Sequence, residues 1–494
     1  MKKFLSLLIL SALLLSMVSC SKIITDAVSE AVGSIAEKKQ SVFETENYTV
    51  DTAMMTYYYL NDFYSYYNRY GMYLQYMGLD VTKSLAEQSY DESTSWYQYF
   101  VNSSANTATA YLLYAEAAHA NGFEVAELDE LVNDEIVGLT QSAEASGVSL
   151  NEYITNIFGE DITEADIRRA LELEIYASEY YAKVEKDYSD SLTNTEFEAY
   201  YTANKDSLDK VDYRSFTITA NDLDTVSLAE AEADAEALLS AASDGSFVSW
   251  VAAYLNEANA DLETPLTDDE IQAKAEYVAI AQAYTAGNEA SEWAFAADRK
   301  AGDVKLMDDG AGNYTVYVLE NTPYRQDDPT RNVRHILIKT GEELTDEEAR
   351  TKAEEILAEY RAGNKTEEAF DDLAKKYNQD SNSLYENVTT GMMVEEFNDW
   401  LFDPARMLED TGIVKTVYGY HIMYYAGAGR PVWQTQAYES MLEAYITELV
   451  TGWQEIYTID MDSDALASLP STIPQTAFNS TTDTTVDTQV AVAQ

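Results

Sequence analysis

Histidine, cysteine and basic residues are scarce in this chain of 494 residues. It contains three His, one Cys, and 31 Lys plus Arg against 87 Asp plus Glu, for a formal net charge of −56. A single cysteine excludes an internal disulfide and a cysteine-based metal site. The shortage of basic residues excludes nucleic-acid binding, because phosphates require clustered Lys and Arg. We interpret the acidic surface as solvated helix faces that keep an exported protein soluble. Attraction of cations or basic unfolded chains is the alternative.

The first 20 residues have the pattern of an export signal. In MKKFLSLLILSALLLSMVSC two lysines precede an apolar run, which is too short and too close to the terminus for a spanning helix. The end of this run, SMVSC, resembles the lipobox of bacterial lipoproteins, in which the cysteine becomes the lipidated first residue of the mature protein. We predict a lipoprotein signal peptide at 1–20 and a lipid on Cys20 that anchors the chain to the cell membrane, outside the cytoplasm. The alternative is an ordinary secretory signal with an incidental cysteine.

Residues 46–209 are predicted to form a helical domain, after a polar spacer at 21–45. Long runs without proline carry apolar residues at spacings of three and four, as in ITEADIRRALELEIYASEYYAKV. Thr163 is placed to cap this helix, and Asp166 falls in its first turn. Tyrosine-rich stretches such as TYYYLNDFYSYYNRYGMYLQY are interpreted as core or groove lining. A surface that holds extended, partly apolar polypeptides is the alternative.

The region from 210 to 430 contains an internal repeat, which is the most informative feature of the sequence. Each copy begins with a strand pattern, VDYRSFTIT or NVRHILIKT, and continues with a long acidic helix. Each copy ends with an alternating strand pattern, GNYTVYVLE or GYHIMYYAG. The sequence therefore predicts two α+β modules, at 210–326 and 327–430, each of ordinary domain size.

Two of the three histidines belong to the second copy of the repeat. His335 lies on its first strand, where the first copy has Ser215, and His421 lies on its last strand, where the first copy has Thr315. A lone histidine on a strand is more often a satisfied core residue than a functional one. If the first and last strands are neighbours, however, the two imidazoles can form hydrogen bonds with each other. We therefore predict a paired-histidine site in the second module.

The second module resembles a parvulin-type peptidyl-prolyl isomerase domain. The resemblance covers residues 331–428 and rests on VRHILIK, EEAFDDLAKKYNQDSNS, GMMVEEFNDWLF and GIVKTVYGYHI in this order. The whole chain is similar to extracytoplasmic foldase lipoproteins of the PrsA type and to periplasmic SurA-like chaperones.

This resemblance implies an α+β multidomain fold. We expect a mainly helical N-terminal chaperone domain plus two parvulin-like α+β modules, of which the first is degenerate. A C-terminal helix at 431–462 is expected to return and pack on the helical domain. The remaining residues, 463–494, are rich in Ser and Thr without periodicity and are predicted to be disordered.

The resemblance also implies the residues of the site. The family's positions fall on the following residues: His335 and His421 for the paired histidines, Asp380 for a cysteine or aspartate, and Met393 and Phe397 for the proline pocket. Tyr418 replaces a Ser or Thr three residues before the last histidine and is expected at the substrate, where a phenol can still donate a hydrogen bond. The family's glycine-rich turn is absent, and SLYENV at 383–388 stands in its place.

The predicted function is that of an extracytoplasmic peptidyl-prolyl cis-trans isomerase and chaperone. Its partners would be unfolded or partly folded secreted polypeptides with X-Pro bonds, and no metal or cofactor would be needed. A membrane-anchored holdase with a decayed isomerase site is the main alternative, and a surface adhesin built on the same scaffold is a third possibility. The first module lacks both histidines, so we expect it to be catalytically silent and to bind polypeptide or act as a spacer.

Overall fold

The computed structural model of the chain describes residues 39–74, 76–220, 227–259, 264–341 and 344–475. The predicted signal peptide and its Cys20 lie outside these ranges. Among the helices of the described ranges, none is long and apolar enough to cross a membrane.

The N-terminal part is mainly helical, as expected. Its elements, in chain order, are β1 (Ser41–Glu44), β2 (Thr49–Asp51), α1 (Thr52–Tyr70), two 3₁₀ turns (Gly71–Tyr73 and Leu85–Glu87), α2 (Trp96–Ala120), α3 (Leu128–Ala145), α4 (Leu150–Phe158), α5 (Glu164–Ser191), α6 (Asn194–Ala203) and α7 (Lys205–Leu208). Asp51 caps α1 by accepting hydrogen bonds from the backbone N–H groups of Ala53 and Met54. Thr163 and Asp166 form a capping box at the start of α5, which confirms the predicted helix start.

The core of this helical domain is rich in aromatic side chains. Tyr59, Phe63, Trp96, Phe100 and Tyr114 are almost completely buried. They lie on α1 and α2, where runs of tyrosine and phenylalanine supply large apolar area with few rotatable bonds. The predicted role of tyrosine as core lining is therefore confirmed for the first part of α1.

The predicted spacer is shorter than expected, because the chain is already folded at residue 41. Phe43 on β1 is buried in the helical core, and the strand pairs with β2. Lys39 forms an ion pair with the buried carboxylate of Asp166 at 2.5 Å, and Arg169 binds the same carboxylate at 2.8 Å. Two adjacent apolar residues, Val42 and Phe43, in a polar stretch give no periodic signal, and this is why the sequence did not indicate the strand.

The first α+β module follows directly. Its elements are β3 (Lys210–Thr219), α8 (Leu228–Ser243), α9 (Phe247–Asn259), α10 (Asp268–Glu276), β4 (Ala279–Ala283), α11 (Glu289–Ala294), β5 (Val304–Asp308) and β6 (Asn313–Leu319). The strands form an antiparallel sheet in the order β4-β3-β6-β5. Ile218 and Val316 on the two central strands are buried against Leu238 of α8.

The second module repeats this arrangement. Its elements are β7 (Pro329–Lys339), α12 (Asp346–Ala362), α13 (Glu367–Tyr377), β8 (Leu384–Val388), α14 (Glu395–Phe402), β9 (Thr411–Thr416) and β10 (Gly419–Pro431). The antiparallel sheet has the order β8-β7-β10-β9, so the first and last strands of the repeat are central neighbours. One face of the sheet packs on α12 and α13, with Ile336 and Ile422 at the contact, and the other face packs on α14.

After the second module the chain returns to the helical domain. The remaining elements are α15 (Val432–Ile456), β11 (Asp460–Met461) and α16 (Ser463–Ala467). Leu442, Ile446 and Val450 of α15 belong to the helical core, and the rings of Tyr188 and Tyr445 stack at 4.1 Å. The returning C-terminal helix is thus present, and β11 extends the small sheet by pairing with β1.

Disorder was predicted from residue 463 onward, and this prediction is wrong for 463–475. Leu466, Leu469 and Ile473 are buried in the helical core. The hydroxyl of Tyr97 donates to the carbonyl oxygen of Leu469 at 2.9 Å. Three apolar residues spaced among Ser, Thr and Pro fill the core without giving a periodic pattern. Residues 476–494 lie outside the described ranges.

The segment between the two modules is held at a junction with the helical domain. The guanidinium of Arg325 lies over the rings of Tyr201 at 5.0 Å and Trp433 at 4.6 Å, and it forms an ion pair with Glu198 at 2.9 Å. The backbone N–H of Trp433 donates to the carbonyl oxygen of Gln326. The guanidinium of Arg325 therefore joins three parts of the chain, namely α6, the segment between the modules and the start of α15.

The Leu466→Ala variant tests whether the C-terminal segment belongs to the helical core. Loss of a fully buried leucine is expected to lower the free energy of unfolding by about 2–5 kcal/mol. Ile456→Ala is the matched control, because this side chain is 70% exposed, and we expect a change within about 0.5 kcal/mol. Denaturant unfolding measures both. Equal effects of the two variants would contradict the packing of 463–475.

Candidate active site

The two histidines of the second module meet on one face of its sheet. In the register of β7 and β10, His335 is opposite Met423 and His421 is opposite Leu337, so the histidines are diagonal neighbours on the face that packs on α14. Both are buried, with 1% and 4% exposure. Their Nδ1 atoms are 3.0 Å apart and the rings stack at 5.2 Å between centroids. The predicted pairing of the two imidazoles is present in the structure.

A continuous chain of hydrogen bonds runs through the pair. At one end, His335 Nε2 is 2.9 Å from the carbonyl oxygen of Asn382 and 3.3 Å from a carboxylate oxygen of Asp380. At the other end, His421 Nε2 is 2.9 Å from the hydroxyl of Thr416. Each of the four ring nitrogens therefore has a partner within the protein.

The groups at the ends determine the direction of this chain when both rings are uncharged. His335 Nε2 faces two acceptors, so it must carry a hydrogen, and its Nδ1 is then an acceptor. His421 must consequently donate through Nδ1–H, and its Nε2 accepts from Thr416. Thr416 thus donates to His421, His421 donates to His335, and His335 donates to the carbonyl oxygen of Asn382 and the carboxylate of Asp380.

Two groups of the site, His421 and Asp380, have a defined charge at neutral pH. Burial, followed by the electrostatic effect of His335, lowers the pKa of His421 to about 4, so this ring is uncharged at neutral pH. The hydrogen bond from His335 lowers the pKa of Asp380 to about 2, with a further contribution from the backbone N–H of Ser381. Asp380 is therefore a carboxylate, and with 30% of its side chain exposed it is accessible from the solvent.

A short loop after α13 presents Asp380 to the histidines. The side-chain oxygen of Asn378 accepts from the backbone N–H of Leu337 at 2.8 Å, and its amide group donates to the carbonyl oxygens of Asp380 and Asn382 at 3.0 Å each. The backbone N–H of His335 in turn donates to the carbonyl oxygen of Ser383. Sequence reasoning missed Asn378, although an Asn directly after a helix and before a polar turn is a signal for such side-chain to backbone bonds.

The apolar part of the site comes from α14 and the loop before it. Phe397 is 3% exposed, and its ring meets the rings of His335 and His421 edge to face at 5.6 and 5.5 Å. Met393 is half-buried and packs in the same cluster. The structure therefore brings the two residues predicted for a proline pocket to the same side of the sheet as the histidines. Whether they contact a substrate remains a prediction.

Tyr418 lies at an exposed position, and its contact with a substrate stays a prediction. Its side chain is 58% exposed, and the hydroxyl that bonds His421 belongs to Thr416. The backbone N–H of Tyr418 donates to this hydroxyl at 3.2 Å. The reason is the hairpin between β9 and β10, which pairs Thr416 with Gly419 and leaves Val417 and Tyr418 at its exposed tip. Thr416 was missed because counting back from His421 ignored this turn.

The first module places other side chains at the equivalent positions. Ser215 faces Tyr317, and Thr217 pairs with Thr315, in the same register as the second module. The hydroxyls of Thr217 and Thr315 are 2.8 Å apart. Hydroxyls at these positions cannot reproduce a chain through two imidazoles. The catalytic silence of the first module stays a prediction. Within the described ranges, no group of three or more His, Cys, Asp or Glu side chains could hold a metal ion.

Comparisons with known proteins point to the same part of the chain. Residues 314–426 match the family model described as the PPIC-type PPIASE domain. This match includes β6 of the first module and all of the candidate site. The chain is also 28% identical over 162 residues to Chaperone SurA from Photorhabdus laumondii, covering 31% of this chain and 34% of that protein. It therefore spans about a third of the length of this curated relative.

Two solved structures are similar to a part of the chain. Peptidylprolyl isomerase (PrsA) from Bacillus cereus is 21% identical, with a TM-score of 0.17, over 29% of this chain and 56% of that one. Peptidylprolyl isomerase (PrsA) from Bacillus anthracis is 17% identical, with a TM-score of 0.17, over 26% of this chain and 61% of that one.

The low pKa of His421 can be measured directly, because the chain has three histidines. In a sample labelled at histidine, the NMR signal that disappears in His421→Ala is expected to titrate near pH 4 instead of near 6.5. The unfolded chain takes up this proton near pH 6.5 and the folded chain does not, so the free energy of unfolding is expected to fall as the pH is lowered from 6.5 to 4. A midpoint near 6.5 would contradict the buried, uncharged ring.

Thr416→Val tests the hydroxyl that bonds His421. The variant leaves a buried ring nitrogen without its partner, and the free energy of unfolding is expected to fall by about 1–3 kcal/mol. Thr416→Ser keeps the hydroxyl and should lose less. Thr351→Val is the control, because its hydroxyl also bonds a protein oxygen but lies on the exposed side of α12. If Thr416→Val and Thr351→Val unfold at the same denaturant concentration, the hydroxyl does not support the pair.

Proposed function

We propose, from the match of residues 314–426 to the PPIC-type PPIASE domain, that this protein accelerates cis-trans isomerisation of X-Pro bonds in unfolded polypeptides. The observation that carries the proposal is the buried pair of His335 and His421, which are bonded to each other beside the aromatic ring of Phe397, with His335 also bonded to Asp380. A structural role alone would not require two imidazoles in a chain that has three.

The chemistry required of these groups is modest. The barrier to rotation about a peptide bond is about 20 kcal/mol, and an uncatalysed X-Pro bond takes about 10–100 s to isomerise. The barrier exists because nitrogen lone-pair density is shared with the carbonyl group. In the proposed complex Met393 and Phe397 hold the proline ring and exclude water. The hydrogen-bonded network beside this pocket orients the polar groups that face the twisting amide, and no covalent intermediate forms.

We further propose that the rest of the chain holds unfolded polypeptide near this site. Large apolar side chains are exposed on the first module, where Tyr277 and Ile280 are 65% and 66% accessible. In the helical domain Tyr73 and Tyr76 are 61% and 90% accessible, next to the C-terminal end of α1. Exposed aromatic groups of this kind support binding of partly apolar segments. The clients would be secreted proteins with X-Pro bonds.

The proposed location is outside the cytoplasm, at the membrane, with a lipid on Cys20. Support for this proposal comes from the sequence SMVSC alone. In cells that process lipoproteins, the full chain is expected in the membrane fraction, and Cys20→Ala is expected to move it to the soluble fraction. A membrane fraction unchanged by this substitution would contradict the anchor.

A holdase without isomerase activity is the second candidate. Its support is the replacement of the glycine-rich turn by SLYENV and the exposure of Tyr418 at the hairpin tip. Such a protein would suppress aggregation of an unfolded client without changing the rate of proline isomerisation. An adhesin, the third candidate, would show no preference for unfolded over folded chains.

Turnover of a short Xaa-Pro peptide, followed by NMR exchange, separates these candidates. The folded wild-type chain is expected to accelerate isomerisation. His335→Ala and His421→Ala are each expected to reduce the rate at least tenfold, because either change breaks the hydrogen-bond chain. His119→Ala is the matched control, since this third histidine is exposed on α2 in the helical domain, and it should leave the rate unchanged. No acceleration by the wild type would contradict the proposed enzyme.

A further inference from the structure

The histidine pair has no hydrogen left to offer a substrate. His335 uses Nε2–H for the acceptors in the loop, and the Nδ1 atoms of the two rings are bonded to each other. His421 Nε2 is bonded to Thr416, and this hydroxyl already accepts from the backbone N–H of Tyr418. Asp380 is a carboxylate and can only accept. A donor to the carbonyl oxygen of a twisting amide must therefore come from another group.

Tyr385 is the aromatic donor nearest to this network. It lies on β8 opposite Val333, on the face of the sheet that carries His335, and its ring is 5.3 Å from the ring of His335. Its hydroxyl is 3.4 Å from a carboxylate oxygen of Asp380. At 3.4 Å this bond is much longer than the usual O–H to carboxylate hydrogen bond, so the O–H group is held weakly and can turn to another acceptor.

The surroundings of Tyr385 place its hydroxyl between the apolar and polar parts of the site. The ring is half-buried in the apolar cluster that contains Phe397 and Met393. Burial and the charge of Asp380 raise the pKa of this phenol to about 12, so it keeps its hydrogen through the neutral range. Ser381 is the other hydroxyl beside Asp380, but it is exposed and lies outside the apolar cluster.

We propose that Tyr385 is a further catalytic residue, whose O–H group leaves Asp380 and donates a hydrogen bond to the carbonyl oxygen preceding proline as the amide twists. The inference rests on the proposed isomerase function and assigns the donor in that reaction. No covalent bond forms or breaks. Asp380 keeps its bonds from His335 and from the backbone N–H of Ser381 when the phenol turns away.

The segment SLYENV thereby acquires a role that its sequence alone did not indicate. It supplies Tyr385 from a strand, which holds the ring by pairing β8 with β7. A strand holds a donor group more rigidly than a glycine-rich turn would, because the hydrogen bonds between β8 and β7 fix its backbone.

The test compares Tyr385→Phe with the full wild-type chain on an Xaa-Pro peptide. NMR line-shape analysis over a series of peptide concentrations gives kcat and KM separately. The variant keeps the ring and loses the hydroxyl, so kcat is expected to fall about tenfold with KM within about twofold, as for one hydrogen bond made in the transition state. Tyr377→Phe is the matched control, since its hydroxyl bonds the exposed carboxylate of Glu359 at 3.2 Å in the same module, and it should behave as wild type.

The outcomes distinguish this inference from the function on which it rests. An active wild type with an equally active Tyr385→Phe variant overturns the catalytic role of Tyr385 and leaves the isomerase intact. A rise in KM with unchanged kcat also overturns it, because the hydroxyl would then bind only the ground state. An inactive wild type overturns both proposals. Unchanged NMR signals of His335 and His421 in the variant establish that the fold is preserved.

Discussion

The hydrogen bond between the Nδ1 atoms of His335 and His421 is the contact on which the site depends. It exists because β7 and β10 are the two central strands of their sheet and pair in a register that makes the two residues diagonal neighbours. A slip of one residue would turn either side chain to the opposite face, against α12 and α13. The long pairing of these strands, from Gly419 with Lys339 to Pro431 with Pro329, holds that register.

The same bond also orders its surroundings. When both rings are uncharged, this bond and the acceptors at Nε2 of His335 together fix one tautomer on each ring, and Asn378 holds the loop that presents those acceptors. Burial makes the arrangement costly to disturb, since any ring nitrogen that loses its partner stays inaccessible to water. The exposed edge of the site is correspondingly simple. It consists of one carboxylate, Asp380, and the half-buried side chains of Tyr385 and Met393.

The internal repeat in the sequence predicted the arrangement of the strands, but it did not predict features that depend on a single turn or on isolated residues. The repeat predicted that the first and last strands of each module correspond, and the alignment of His335 with Ser215 and of His421 with Thr315 matches the observed registers. Features set by a turn or by isolated apolar residues were not predictable in this way. A hairpin brings Thr416 to His421, and Leu466 enters the helical core from a segment without periodicity. Tyr385 was not identified from the sequence, because the segment SLYENV was noted only for lacking the glycine-rich turn.

The direction of hydrogen bonding through the histidine pair can be measured directly, because it determines which nitrogen of each ring is protonated. Long-range ¹H–¹⁵N correlation spectra of the histidine-labelled chain at neutral pH distinguish protonated from unprotonated nitrogens at each ring. With both rings uncharged, we expect His421 to carry its hydrogen on Nδ1 and His335 to carry its hydrogen on Nε2. A hydrogen on Nε2 of His421 while both rings are uncharged would reverse the direction of these hydrogen bonds and contradict the proposed tautomers.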